Sequence, residues 1–138
     1  MKVLTLDDLD LDGAKVLVRS DLNVPLDDGQ VGDDFRIRMA IPTIARLRDG
    51  GAVVAVCSHL GRPKGVDPAF SLEPVAARMS EIAGFDVTFI PANHGTDVNE
   101  VIADASPGSV FMLENTRFEP GETKNDPDLA DAMAASFD

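Results

Sequence analysis

Three short polar segments of this chain combine arginine with side chains that hydrogen-bond small acids. They are residues 19–25 (RSDLNVP), 58–65 (SHLGRPKG) and 114–118 (ENTRF), and Arg36 and Arg38 lie between the first two. The planar guanidinium of arginine binds phosphate or carboxylate through two parallel hydrogen bonds and stays charged at every relevant pH. If the fold brings these segments together, they form a binding site for a small anion.

The overall charge makes such a local cluster necessary. The chain has 12 Lys and Arg against 24 Asp and Glu, a formal net charge of −12. A body this acidic repels nucleic acids and anionic membranes, and only 5% of the residues are aromatic, so a nucleic-acid role is disfavoured. Any bound anion must therefore be held by a local cluster of basic side chains that overcomes the negative potential of the rest of the protein.

The patterns of several other common sites are missing. The sequence has neither of the usual glycine-rich nucleotide loops, no cluster with metal-ligand spacing, and no Ser-His-Asp arrangement. The single cysteine, Cys57, excludes an internal disulfide, fits a reducing compartment and is predicted to be buried. His94 has no chemical partner nearby and is predicted to be structural or at the surface. Without a long apolar run or an apolar leader, the sequence predicts a cytoplasmic protein.

The positions of the apolar residues predict an α/β fold. Runs that are apolar at successive positions, as in parallel strands buried on both faces, occur at residues 16–18, 52–57, 87–90 and 110–113. Apolar stripes at helical spacing run through residues 37–45, 72–83, 98–105 and 129–137. This alternation predicts a Rossmann-like three-layer domain, with helices flanking a mainly parallel sheet.

Local signals predict where the helices begin and end. Pro42 lies inside the first stripe and predicts an irregular first turn or a late start of that helix. Gly84 closes the second stripe. Asp97 followed by Glu100 resembles a capping box for the third stripe, and Asp126 followed by proline predicts the start of the fourth.

The three polar segments follow the first, second and fourth apolar runs. In open α/β sheets, ligands bind outside the carboxyl ends of the strands, so these segments are predicted to meet at one edge. Taken singly, their residues suit plainer roles as turn positions, exposed charges or a hydrogen-bonded loop histidine, and Arg19 suits an internal ion pair. The residues with such an alternative are Arg19, Asp21, Asn23, Arg36, Arg38, His59 and Lys64. Only their convergence favours a binding site.

In order and spacing, the three segments resemble signature segments of phosphoglycerate kinase, and the resemblance runs over the whole chain. This family transfers a phosphoryl group between 1,3-bisphosphoglycerate and ADP, giving 3-phosphoglycerate and ATP in glycolysis. The resemblance implies that Asp21 and Asn23 hydrogen-bond the carboxyl and hydroxyl end of the substrate. It also implies that His59, Arg62 and Arg117 bind the substrate phosphate.

The resemblance further implies a catalytic role for Arg36, near the transferring phosphoryl group, whereas Arg38 keeps its interpretation as a surface charge. The full set of predicted substrate-binding residues is Asp21, Leu22, Asn23, Arg36, His59, Leu60, Gly61, Arg62 and Arg117. A site built from arginines without an obvious general base suits phosphoryl transfer, which needs positioning and charge neutralisation.

The resemblance covers only part of a phosphoglycerate kinase. Residues 1–138 correspond to an incomplete N-terminal, substrate-binding domain, which we expect to stop before its last strand or strands. The domain that binds ATP or ADP with Mg²⁺ is expected to lie outside this chain, and no metal site is expected within it. We therefore expect the chain alone to be inactive and the complete enzyme to be a monomer.

Two interpretations from other classes stay open. The chain suits a non-catalytic α/β module that binds a phosphorylated small acid, which requires a complete fold and real affinity. It also suits a structural unit whose exposed sheet edge pairs with a second copy, since open edges invite such pairing.

Overall fold

The fold is a parallel sheet between two layers of helices, and the computed structural model describes residues 1–138 throughout. The strands are β1 (Lys15–Arg19), β2 (Leu26–Asp27), β3 (Gln30–Val31), β4 (Val53–Cys57), β5 (Thr88–Phe89) and β6 (Val110–Met112). The helices are α1 (Phe35–Asp49), α2 (Glu73–Ala83), α3 (Thr96–Asp104) and α4 (Pro127–Ala134). Short 3₁₀ turns cover Leu6–Asp8, Pro68–Phe70 and Thr116–Phe118.

The main sheet has the spatial order β1-β4-β6-β5, and every pair in it is parallel. This order, which the sequence left open, places β1 and β5 at the two edges. The outer side of β1 contacts the end of the chain, because Asp138 donates its N–H to the carbonyl of Lys15 and accepts the N–H of Lys15 on its carboxylate, both at 2.8 Å.

Strand β4 is buried at every position and separates two apolar clusters. Val54 and Val56 pack on one face with Ile44 of α1 and Met79 of α2. The alternate residues of β4 pack on the other face with α3 and with apolar side chains in and after α4. This arrangement confirms the prediction of an α/β fold with helices flanking a mainly parallel sheet.

The expected effect of Pro42 is wrong. Helix α1 begins at Phe35, well before the proline, and continues through it to Asp49. Proline removes one helical hydrogen bond, but Pro42 lies on the exposed side of the helix, where water can satisfy the freed carbonyl. Burial of Ile37 and Ile44 on the inner side favours the uninterrupted helix.

The capping residues predicted for helices α3 and α4 have different outcomes. The predicted capping box of Asp97 and Glu100 is wrong, because Gly95 with φ 89° is the capping residue and α3 begins at Thr96. Asp97 instead lies in the first turn, where its negative charge interacts favourably with the positive end of the helix dipole. Asp126 does cap α4, as predicted, by accepting the N–H of Asp128.

The pairing of β2 with β3 as a hairpin was not predicted. The two strands are joined by Asp28 and Gly29, which have φ values of 50° and 75°. Two successive residues with positive φ are typical of the tight turns that match the twist of paired strands. The Asp-Gly pair is a recognised sequence signal for this turn, but the strands are too short to show an apolar pattern.

An ion-pair network at the start of α1 connects this helix to α2. The Asp34 carboxylate accepts hydrogen bonds from Arg38 at 2.9 and 3.2 Å and from Arg78 at 2.9 Å. The Arg38 guanidinium, followed by that of Arg78, lowers the pKa of Asp34. Arg38 is therefore a helix-end charge with its own carboxylate partner, as the surface interpretation predicts.

Cys57 is buried, as predicted, and burial raises the pKa of its thiol to about 11, while the nearby Arg19 charge partly opposes the shift. Because the thiolate is the reactive form, we expect iodoacetamide to label Cys57 only as fast as the protein unfolds. Rapid labelling of the native protein at neutral pH would contradict this prediction.

The same shift predicts how stability depends on pH. The thiol pKa rises from an ordinary value of 9.0 to about 11 on folding, so the folded state holds this proton more tightly. The contribution is complete below about pH 9 and is lost as the pH rises through about 11. Between these pH values, the free energy of unfolding measured with denaturant should decline as the pH rises. The decline should be smaller in Cys57→Ala, which has no thiol.

Candidate functional site

The three polar segments meet at the carboxyl ends of β1, β4 and β6, where direct hydrogen bonds join them. Gly61 is the common partner, since its N–H donates to Oδ1 of Asn23 at 2.9 Å and its carbonyl accepts from Nη1 of Arg117 at 3.3 Å. A third contact runs from the N–H of Leu22 to Oγ of Ser58 at 2.9 Å. The convergence predicted from the sequence is therefore observed.

A buried amide, that of Asn115, holds the second and third segments together. Its Oδ1 accepts the N–H of Leu60 at 3.1 Å and of Arg117 at 3.0 Å. Its Nδ2 donates to the carbonyls of Leu60 at 2.8 Å and Phe70 at 2.9 Å. Asn115 has no exposed surface, so its four side-chain bonds replace water for backbone groups inside the protein.

The backbone of Gly61 could not easily carry a side chain. Its φ is 62°, in the left-handed region, and a Cβ at this position would lie 2.4 Å from the Phe70 ring. The backbone of Phe70 is held by the bond from Asn115 to its carbonyl, so only its ring or the loop of Gly61 could shift to make room. Glycine here allows the loop to pass close beneath the ring while both of its peptide groups stay bonded to the neighbouring segments.

Arg36 reaches the first segment from the start of α1. Its Nη1 lies 3.4 Å from Oδ1 of Asp21 and also donates to the carbonyl of Asn23. Asp21 additionally accepts the N–H of Asn23 at 3.1 Å, so the turn role considered for Asp21 is real and coexists with the ion pair. Open cavities of about 450 and 370 Å³ flank Arg36.

Arg117 is oriented by protein groups on two of its nitrogens. Nη1 donates to the carbonyl of Gly61, and Nε lies 3.5 Å from the Glu122 carboxylate, an ion pair without a hydrogen bond. Nη2 makes no hydrogen bond. Glu122 also lies 3.8 Å from Arg19, so Arg19 makes the predicted ion pair, although its side chain is 60% exposed rather than internal.

His59 and Arg62 are the basic site residues without an internal partner. Neither side chain makes a hydrogen bond or an ion pair, His59 is half-buried and Arg62 is exposed. Both belong to the same segment as Gly61, whose carbonyl accepts a hydrogen bond from Arg117. Leu22 and Leu60 are buried and act through their backbone groups, which fix the loops.

The remaining basic residues of the analysis lie outside this cluster or at its border. Lys64 is exposed and makes no ion pair, in line with a surface charge. His94 lies 3.4 Å from Glu119 and is partly exposed, which agrees with its predicted structural or surface role. No group of three or more His, Cys, Asp or Glu side chains could hold a metal ion, and no helix could cross a membrane.

Four residues that shape the site were not singled out from the sequence. Ser58 and Asn115 belong to the quoted segments, but nothing in a single sequence distinguishes a buried bridging amide from an exposed one. Phe70 and Glu122 lie outside the segments, and their roles depend on how distant loops pack. The signal for Glu122 was only an acidic residue shortly after an arginine.

Comparison with known proteins gives a consistent result. The family model for phosphoglycerate kinase matches residues 6–138. A phosphoglycerate kinase of Thermosipho africanus is 53% identical over 139 residues, which cover 100% of this chain and 35% of the relative. A cytosolic phosphoglycerate kinase of Triticum aestivum is 52% identical over 135 residues, covering 97% of this chain and 34% of the relative. The chain thus spans about a third of the length of these relatives.

Solved structures agree with the sequence comparisons. The phosphoglycerate kinase of Pyrococcus horikoshii superimposes with a TM-score of 0.90 at 31% identity, covering 99% of this chain and 35% of that one. The enzyme of Coxiella burnetii superimposes with a TM-score of 0.84 at 36% identity, covering 98% of this chain and 33% of that one. With a matching family model over nearly its whole length, the chain belongs to the phosphoglycerate kinase family.

Proposed function

We propose that this chain supplies the 3-phosphoglycerate site of a phosphoglycerate kinase, which transfers a phosphoryl group between 1,3-bisphosphoglycerate and ADP in the cytoplasm. The observation that carries the proposal is that the side chains of two basic residues of the second segment, His59 and Arg62, have no hydrogen-bond or ion-pair partner. Their segment is joined through Gly61 to Arg117, whose Nη2 makes no hydrogen bond. Arg19, Arg36 and Arg38, and Arg117 through its Nε, are paired with carboxylates.

The opposite end of the substrate fits the first segment. The carboxylate of Asp21 is exposed and the amide of Asn23 is half-buried beside Arg36, so both offer polar atoms to a hydroxyl or carboxyl group. The carboxyl group of the substrate is the group that carries the transferred phosphoryl, and Arg36, which contacts Asp21 and Asn23, would neutralise charge at this end. Since phosphoryl transfer depends on positioning and electrostatic stabilisation, these residues suffice for the substrate half of the reaction.

The nucleotide half of the reaction requires other residues. We propose that ATP or ADP, together with Mg²⁺, would be held by a second domain beyond this chain, as the family resemblance implies. When bound, the metal neutralises charge on the phosphates. The chain alone is then inactive as a kinase and the complete enzyme acts as a monomer. Turnover of ATP and 3-phosphoglycerate by these 138 residues alone would contradict this division.

The proposal predicts that Arg62→Ala weakens binding of 3-phosphoglycerate by about tenfold to hundredfold, because a charged hydrogen bond to phosphate is lost. Arg38→Ala is the matched control, since it removes the same charge from a guanidinium that is paired with Asp34. Binding is measured by calorimetry or by the rise in melting temperature. Ligand at 100 times its Kd adds about 2.7 kcal/mol to the free energy of unfolding.

Equal losses in both variants would show that only overall charge matters, and the assignment of the phosphate position would be wrong. If the chain binds 3-phosphoglycerate but the complete protein does not transfer a phosphoryl group, the non-catalytic binding module is favoured instead. Sedimentation at several concentrations separates both from the interpretation in which the open edge of the sheet pairs with a second copy.

A further inference from the structure

The turn that follows Arg117 places an acidic side chain among the basic residues of the site. Glu122 is only 12% exposed, and its carboxylate contacts Arg117 at 3.5 Å, Arg19 at 3.8 Å and Oγ1 of Thr116 at 3.3 Å. A carboxylate beside an anion site opposes anion binding through its charge. If Glu122 assists binding, it must therefore act through the residues that it contacts and not through its own charge.

The contacts of Arg117 indicate what that role is. Nη1 donates to the carbonyl of Gly61, Nε forms an ion pair with Glu122 without a hydrogen bond, and Nη2 makes no hydrogen bond. Because a guanidinium is planar, fixing two of its nitrogens also fixes the direction of the third. The Nε atom is buried and has no other acceptor near it, so without Glu122 one face of the group would be unrestrained.

The backbone around Glu122 is itself well fixed. Its N–H donates to the carbonyl of Glu119 at 3.1 Å and its carbonyl accepts from Asn125 at 3.3 Å. The turn is closed by a bond from the N–H of Asp126 to the carbonyl of Gly121 at 3.0 Å. The carboxylate is thus presented from a defined turn at the start of α4 rather than from a free surface loop.

We propose that Glu122 is a positioning residue that orients Arg117 so that its Nη2 edge faces the phosphate of the substrate. The inference rests on the proposed function, which supplies the ligand, but it concerns the protein alone. Glu122 does not touch the substrate and acts through Arg117. Its benefit is a guanidinium that is already oriented before the anion arrives, which lowers the entropy lost on binding.

The proposal is tested with Glu122→Ala, which removes the acceptor, and Glu122→Gln, which keeps an acceptor oxygen but no charge. Because the contact with Arg117 is an ion pair without a hydrogen bond, we expect Glu122→Ala and Glu122→Gln both to weaken 3-phosphoglycerate binding by about five- to tenfold. Glu119→Ala is the matched control, because it removes the same charge from the same turn, where the carboxylate contacts His94 and no arginine. Glycerate, which lacks the phosphate, should be insensitive to all three changes.

A second measurement reads the orientation without any ligand. The Nε–Hε NMR signal of Arg117, assigned with Arg117→Lys, should exchange slowly with water in the parent and quickly in Glu122→Ala and Glu122→Gln. If the parent does not bind 3-phosphoglycerate but the signals behave as expected, the proposed function fails and the positioning role stands. If Glu122→Ala binds as well as or better than the parent, or leaves the exchange unchanged, Glu122 is only a competing charge and the positioning role is wrong.

Discussion

Replacing Asn115 with alanine is expected to destabilise the protein by about 4 kcal/mol, a large part of the stability of an ordinary domain. The reason is that one fully buried amide satisfies four groups, which are the N–H and carbonyl of Leu60, the N–H of Arg117 and the carbonyl of Phe70. Alanine would leave these groups buried and unpaired, since the cavity offers no protein donor or acceptor in their place. The free energy of unfolding is measured by denaturant titration.

Asn115→Asp tests the same interaction with less change in volume. Aspartate keeps the oxygen that accepts from Leu60 and Arg117 but offers no donor to the two carbonyls, and it buries a charge. It should therefore also destabilise strongly, and more at neutral than at acidic pH, where protonation removes the charge. Asn99→Ala is the control, because Asn99 is exposed and bonds only to Ser136. Similar losses for Asn99 and Asn115 would contradict the bridging role.

The layers of this fold could be predicted because burial on both faces leaves a simple signal. Strand β4, Val53–Cys57, is apolar throughout and lies in the centre of the sheet with every residue buried. The helical stripes likewise correspond to the four helices. The order of the strands could not be predicted, because parallel pairing depends on which edge each crossover reaches and not on any residue within the strand.

The errors arose where tertiary packing outweighs a local rule. Proline is disfavoured in the interior of a helix, yet α1 continues through Pro42. The apolar residues buried on its inner side stabilise the helix enough to tolerate the exposed proline. At α3, the predicted cap had the right residue types, but the positive φ of Gly95 sets the first turn earlier. A single sequence contains both signals and does not show which of them prevails.

The site divides in the same way. The residues proposed to face a ligand, such as Arg62 and Arg117, were predicted because their segments follow strand ends that share one edge of the sheet and resemble a known family. The residues that hold them, such as Asn115 and Glu122, were missed because their role depends on contacts between segments far apart in the chain. Supporting residues of this kind are visible only once the loops are placed in space.

Replacing Gly61 with alanine is expected to reduce 3-phosphoglycerate binding by more than about tenfold and to lower stability by about 3 kcal/mol. Part of the loss comes from a φ of 62°, which disfavours a side chain, and the larger part from a Cβ that would lie 2.4 Å from the Phe70 ring. Asn115 holds the backbone of Phe70, so the added Cβ would be accommodated by rotation of the ring or by movement of the loop, and we expect the loop to move. Its movement breaks the bonds from Gly61 to Asn23 and Arg117, which fix the site.

Two further variants separate these causes. Gly13→Ala places a side chain at a φ of 70° with no atom within 4 Å, so it should show only the backbone cost of about 1 kcal/mol and unchanged binding. Combining Gly61→Ala with Phe70→Ala removes the obstructing ring and should recover part of the lost affinity relative to Gly61→Ala alone. If the double variant binds no better, or if Gly13→Ala is as damaging, then the close approach of the ring is not what requires glycine. Recovery of binding with only a residual loss of stability would show that Gly61 is needed chiefly to let its loop pass beneath Phe70.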